Sequence, residues 1–181
     1  NKQSTLVSPE MLHIEEKQEN ADFDDANTED TDEEIDCSNL SEAELIDLAN
    51  DGNVDAMLTL GMSYYGQLIE GFDVDFDEAA KWFKKLADKG DAYGLTMYGE
   101  CCYYGYGVRQ NKHKTVEYLQ MALEKRPIQR AQELLGRCYF FGTGGVPADY
   151  KKAERLFRKA AETGANTAMF FLGRIYCENY E

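Results

Sequence analysis

The sequence predicts an all-α fold built as an array of helix-turn-helix units, and three observations carry that expectation. Four glycines, Gly61, Gly99, Gly136 and Gly173, return at intervals of 38, 37 and 37 residues. Each follows a large residue (Leu60, Tyr98, Leu135, Leu172) and lies five positions after a small one (Ala56, Gly94, Ala131, Ala168). Between them lie stretches whose apolar residues fall at helical spacing, and no run alternates with the period of a strand. A fixed period of this length marks stacked repeats, each too small to bury its apolar face alone.

The chain has 181 residues and a net charge of −15, unevenly spread. Residues 1–40 hold 13 acidic side chains against Lys2 and Lys17, a net of −11; the rest hold 21 acidic and 17 basic, a net of −4. The stretch "EEKQENADFDDANTEDTDEEID" has too few apolar residues to offset its ordering entropy, so residues 1–39 are expected to form a mobile acidic tail. A nucleic-acid mimic or a lure for a basic partner is the alternative use of such a run. No basic stripe is present to neutralise phosphates, which argues against nucleic-acid binding.

Order is expected from residue 40. Ser41 and Glu44 form a capping-box pattern, Leu40 can staple against Leu45, and Gly52 ends a short helix over 42–50. The repeats then run over about 53–90, 91–126 and 127–164, with the first helix of a fourth over 165–178. Their first helices contain "DAMLTLGMSYY", "YGLTMYGECCY", "RAQELLGRCYF" and "TAMFFLGRIYC". The second helices contain "DEAAKWFKKLADKG", "HKTVEYLQMALEKR" and "YKKAERLFRKAAETG", with apolar faces such as Ala79, Trp82, Phe83, Leu86 and Ala87.

A mid-helix glycine costs about 1 kcal/mol relative to alanine, so each should be offset by close approach of the partner helix. Trp82, Phe83, Leu156 and Phe157 are the bulky groups expected to fill that space. The cluster Gly142, Gly144 and Gly145 is not read as a phosphate loop, because a helical period and not a strand precedes it. "GYGV" recurs 37 residues before "GTGGV", which fits turns joining antiparallel helices.

The combination A-x-x-x-L-G-x-x-x-Y, then G-x-G-V, then A-x-x-W/L-F-x-x-A-A-x-x-G resembles the Sel-one-like repeat, a relative of the tetratricopeptide repeat. Here it is carried by Ala131, Leu135, Gly136, Tyr139, Gly142, Gly144, Val146, Ala153, Leu156, Phe157, Ala160, Ala161 and Gly164. The resemblance covers about residues 40–181. It departs from the pattern at "GQLIEGFDVDFD" in the first unit and at Arg126–Pro127 in the second, and the fourth unit stops after one helix. It implies a right-handed α/α solenoid whose work is protein–protein interaction.

Other chemistry finds little footing. Asp73, Asp75 and Asp77 have calcium-loop spacing, but Glu78 and Lys84 stand where glycine and glutamate are needed. His13 and His113 are far apart, and no Ser, Cys or Lys sits in a nucleophile motif. Five cysteines without a C-x-x-C pair read as reduced thiols, so a cytoplasmic location is expected, with export the alternative if a leader preceded Asn1. No apolar run reaches membrane-spanning length. No enzyme activity, cofactor or metal is expected.

A partner protein or peptide is expected along the inner surface formed by the first helices. If Ala56, Leu60 and Tyr64 face the core, then Leu58, Met62 and Tyr65 face the groove. The equivalents are Thr96, Glu100 and Tyr103, then Glu133, Arg137 and Phe140, then Phe170 and Arg174. Exposure is expected for Glu100, Arg137 and Arg174, while the aromatics either line the groove or pack against the next first helix. Met169, Phe170, Phe171, Ile175 and Tyr176 form an apolar edge that would continue into further repeats or self-associate. The leading functional expectation is an adaptor. The second is an inhibitor or immunity protein that neutralises a toxin or enzyme, its acidity speeding association.

Overall fold

Nine helical segments follow one another through the computed structural model, which describes residues 36–66 and 72–177. A short 3-10 turn, Cys37–Asn39, leads into α1 (Glu42–Asn50), α2 (Val54–Tyr64), α3 (Phe76–Asp88) and α4 (Ala92–Tyr104). Then come α5 (Lys112–Lys125), α6 (Gln129–Phe141), α7 (Tyr150–Glu162) and α8 (Asn166–Cys177). No strand occurs among the described residues. Each helix packs on the next in sequence, so local pairing builds an α/α solenoid.

The acidic tail expected over residues 1–39 lies outside the described residues as far as residue 35. Its last part differs from expectation. Cys37 is buried against the core and its thiol engages Thr59 of α2, so one apolar anchor orders the chain ahead of Leu40.

Helix starts follow from short polar side chains. Ser41 and Glu44 form the reciprocal capping box, with the Ser41 amide donating to Glu44 Oε2 at 2.9 Å. Asn53, Asp75, Asp91, Asn111 and Asp149 each accept from backbone amides in the first turn of the helix that follows. The Asp75 carboxylate is thus spent on Asp77 and Glu78 amides. The α6 start has no side-chain cap, since Ile128 stands at that position.

The repeated glycines carry the packing. A Cβ built on Gly61 would meet the Phe83 ring at 2.5 Å, and one on Gly136 would meet the Phe157 ring at 2.7 Å. Both rings are fully buried. Burying one contributes roughly 1.5–3 kcal/mol, which outweighs the helix-propensity loss at the glycine beneath it. At Gly99 the occupant is Leu119, 3.2 Å away, with Tyr118 alongside. Gly94 is tighter still, because a Cβ there would collide with Leu86 and the Ala87 backbone. Gly173 breaks the pattern: none of the described atoms would touch its Cβ within 4 Å.

The glycine turns have a second role beyond reversing the chain. Gly142 ends α6 in the left-handed region at φ 62°, which glycine adopts without steric cost. Gly144 rests on the Lys112 carbonyl at the start of α5, and Gly107 on the Phe76 carbonyl at the start of α3; a side chain at either would collide with that backbone. Each turn therefore docks on the helix start of the preceding unit. One clasp recurs at every pair, with the Asp75, Asn111 and Asp149 amides donating to the carbonyls of Tyr64, Cys102 and Tyr139 at 2.9, 2.8 and 2.9 Å.

Candidate functional site

Three successive units contribute side chains to one apolar pocket of about 640 Å³. From α2 come Asp55, Leu58, Thr59 and Met62, and from α4 come Tyr93, Thr96, Met97 and Glu100. Ile128 and Arg130 close it from the start of α6. Asp55, Tyr93 and Arg130 occupy the same position in their repeats, as do Met62 and Glu100, so stacking turns a column of the repeat into one wall.

The polar end of this pocket is held by an ion cluster. Arg130 Nε donates to Glu100 Oε2 at 2.8 Å, and its Nη2 donates to Glu100 Oε1 in a bidentate pair. Arg130 Nη1 reaches Glu133 Oε1 at 3.4 Å, and the Tyr65 hydroxyl donates to Glu100 Oε1 at 3.2 Å. The Glu100 carboxylate holds the Arg130 guanidinium well above its ordinary value. Burial, together with that same carboxylate, pushes the Tyr65 phenol upward.

Several expected groove residues are found elsewhere than at the surface. Glu100 is 4% exposed and Glu133 6% exposed, against the exposure expected for Glu100. The reason is Arg130, a partner from the following unit that lets a carboxylate be buried. Thr96 is buried and its hydroxyl donates to the Ala92 carbonyl at 2.8 Å. Tyr65 does not line the pocket; its ring packs among Phe76, Phe83 and Tyr106 while its hydroxyl meets Glu100. Tyr103 and Phe140 are buried between neighbouring helices, which resolves the alternative left open for those aromatics. Phe170 alone among the expected aromatics is largely exposed, at 62%.

Arg137 is half-buried, not free at the surface as expected. Its guanidinium lies 5.0 Å from the Tyr103 ring, 5.8 Å from Tyr104 and 5.9 Å from Phe171, and Nη1 donates to the Tyr104 hydroxyl at 2.7 Å. Arg174, also half-buried, stands over the Phe140 ring at 5.0 Å. So Leu58, Met62, Thr96 and Glu100 meet in one pocket, while Arg137, Tyr103, Phe140, Phe170 and Arg174 belong to a second, aromatic cluster. Sequence reasoning missed Asp55, Thr59, Tyr93, Met97, Ile128 and Arg130. The recurring column Asp55–Tyr93–Arg130 was the available signal.

The thiols have structural surroundings. Burial pushes Cys101 up to about 12 and raises Cys102 and Cys138, which keeps them protonated and poorly nucleophilic. Among the described residues, no three His, Cys, Asp or Glu side chains are grouped to hold a metal, and no helix is long and apolar enough to cross a membrane.

Comparison with known proteins fits this geometry. The family model described as Sel1 repeat matches residues 54–91, 92–126 and 129–164. Protein sel-1 homolog 2 of Mus musculus is 30% identical over 92 residues, a match taking in 49% of this chain and 13% of the mouse protein. A Sel1 repeat protein from Oxalobacter formigenes is similar in structure, with TM-score 0.59 and 29% identity over 70% of this chain and 94% of that one. A protective antigen of uropathogenic Escherichia coli with an SLR fold gives TM-score 0.55 and 26% identity, over 78% of this chain and 37% of that one.

Proposed function

The chain belongs to the Sel1 repeat family, whose members are generally protein–protein interaction modules, and from that premise we propose that it is a non-enzymatic adaptor holding a segment of another protein between α2, α4 and the start of α6. The observation that carries this reading is the pocket itself: apolar walls from Leu58, Met62, Met97 and Ile128, with an ion cluster already satisfied at one end. With that cluster closed, the apolar walls are the larger contact and suit an apolar anchor. Phe170, Arg137 and Arg174 would extend the contact along α6 and α8. Buried free thiols at Cys37, Cys101, Cys102 and Cys138 support the cytoplasmic reading.

The test is capture of proteins from the native source by the intact chain and by Met97→Glu, with bound material quantified by mass spectrometry. Met97 is half-buried in the wall, so the variant should keep its melting temperature and lose its specific captures. Equal capture by both would move the binding surface away from this pocket. The inhibitor reading keeps one supporting observation, the net charge of −15. It requires one very tight partner with steep salt dependence, whereas an adaptor gives several weaker ones.

A further inference from the structure

The charges around the pocket are not evenly placed. On the α2 edge stands Asp55, which is in no ion pair among the described residues. The Cys37 thiol, packed against α2, is pushed up by burial and then by the carboxylates of Asp55 and Asp36. Asp36 also accepts from Asn39 Nδ2 at 3.3 Å. On the opposite edge Arg130 is engaged by Glu100 and Glu133, and the Arg126 guanidinium lies over the Tyr93 ring at 5.1 Å. Glu100 and Glu133 thus form a closed ion cluster with Arg130, Arg126 lies against the Tyr93 wall, and Asp55 stands on the α2 side outside that cluster.

Space sets the second constraint. A cavity of about 640 Å³ is larger than one side chain and takes two or three apolar groups from adjacent turns of a partner segment. Two of its wall residues are Met62 and Met97, whose flexible thioethers adapt to different apolar shapes.

We propose that the partner segment carries a pair of bulky apolar anchors with a lysine or arginine beside them, the anchors seated between Met62, Met97 and Ile128 and the cation facing Asp55. This deepens the groove reading above and rests on it. The occupant is a foreign polypeptide whose charge complements the α2 edge. Arg126 sets the polarity, since the reverse orientation would bring the cation against a guanidinium.

The experiment is selection of short random peptides on the intact chain, followed by fluorescence anisotropy at low ionic strength with the enriched sequences. The enriched peptides should carry two apolar residues with Lys or Arg nearby, and Met97→Glu should weaken them by about tenfold or more. Asp55→Asn should weaken a cation-bearing peptide by about threefold and leave its cation-to-glutamine derivative unchanged, as expected of a partly exposed pair in a double-mutant cycle. Arg126→Gln should not weaken it.

Peptides that lose affinity in Met97→Glu yet show no coupling to Asp55 would overturn the cation and leave the groove reading standing. Peptides indifferent to Met97→Glu, or no enrichment at all, would remove both. The front segment holds apolar residues of its own at Leu6, Val7, Met11, Leu12 and Ile14. Binding that appears only after Met11→Asp and Leu12→Asp would name that segment as the occupant and overturn a foreign partner.

Discussion

Gly136 and Gly173 stand at the same place in α6 and α8, and their surroundings could hardly differ more. Over Gly136 lies the Phe157 ring, delivered by α7 and fully buried. Over Gly173 no described atom comes within 4 Å, and Met169 and Tyr176 on the same helix are 49% and 51% exposed. The glycine is thus not a local requirement of its own helix. It is half of a contact whose other half is an aromatic or leucine side chain one helix later, and without that half it is only a weak point in a helix. Stability in this fold belongs to interfaces between neighbours, as expected of a quasi-one-dimensional array.

The largest effect should come from removing the ring that fills the notch. Phe157→Ala would empty the space over Gly136 and also the stack on Phe171, whose ring is 5.0 Å away and nearly parallel. A loss of about 4 kcal/mol is expected, read by chemical denaturation. That is a large fraction of the roughly 5–15 kcal/mol that holds a typical domain together. A loss below about 1 kcal/mol would mean the notch collapses freely and the comparison has no energetic content.

Next comes filling the notch from the other side. Gly136→Leu places a branched side chain where even a Cβ would be 2.7 Å from Phe157, and the ring has no solvent to move into. Overpacking should cost about 3 kcal/mol, or roughly 10 °C in melting temperature for a domain of this size. The same position in the open unit should answer with the opposite sign. Gly173→Ala meets no described atom, so helix propensity alone should raise stability by about 0.8 kcal/mol. A destabilised Gly173→Ala would show that something does cover α8 in solution, and its concentration dependence would tell a second copy from a segment of the same chain.

The fold was legible because a period repeated over three units outweighs any ambiguity in one of them. Gly61, Gly99 and Gly136 could be read from spacing alone, and Phe83 and Phe157 were among the bulky groups expected to fill the space, together with Trp82 and Leu156; Leu119 over Gly99 was not. The pocket was only half legible. Of the residues that helical geometry assigned to a groove, Leu58, Met62, Thr96 and Glu100 line one pocket. That geometry could not show that Glu100 would be buried, because its partner Arg130 comes from the next unit and the stacking offset is a tertiary property. Arg137 was misjudged for a related reason: its aromatic surroundings are assembled from Tyr103 and Tyr104 on α4 and Phe171 on α8. The docking of Gly107 and Gly144 on preceding helix starts was hidden in the same way, since a turn glycine looks alike whether it faces solvent or a backbone carbonyl.

Gly99 sits between the two extremes and should give the smallest effect. A Cβ there would lie 3.2 Å from Leu119 Cδ2 and 3.4 Å from Tyr118, tight but against side chains and not backbone. Leucine can shift a terminal methyl by a few tenths of an ångström more easily than a packed ring can shift its edge. For Gly99→Ala the propensity gain of about 1 kcal/mol is then nearly cancelled, leaving a change within about 0.5 kcal/mol of zero. Read beside Gly136 and Gly173, this value makes the notch a graded quantity, set by how far the occupant can yield. A loss at Gly99 as large as that at Gly136 would mean Leu119 is locked as firmly as Phe157, and that crowding by any side chain, aromatic or not, decides the cost.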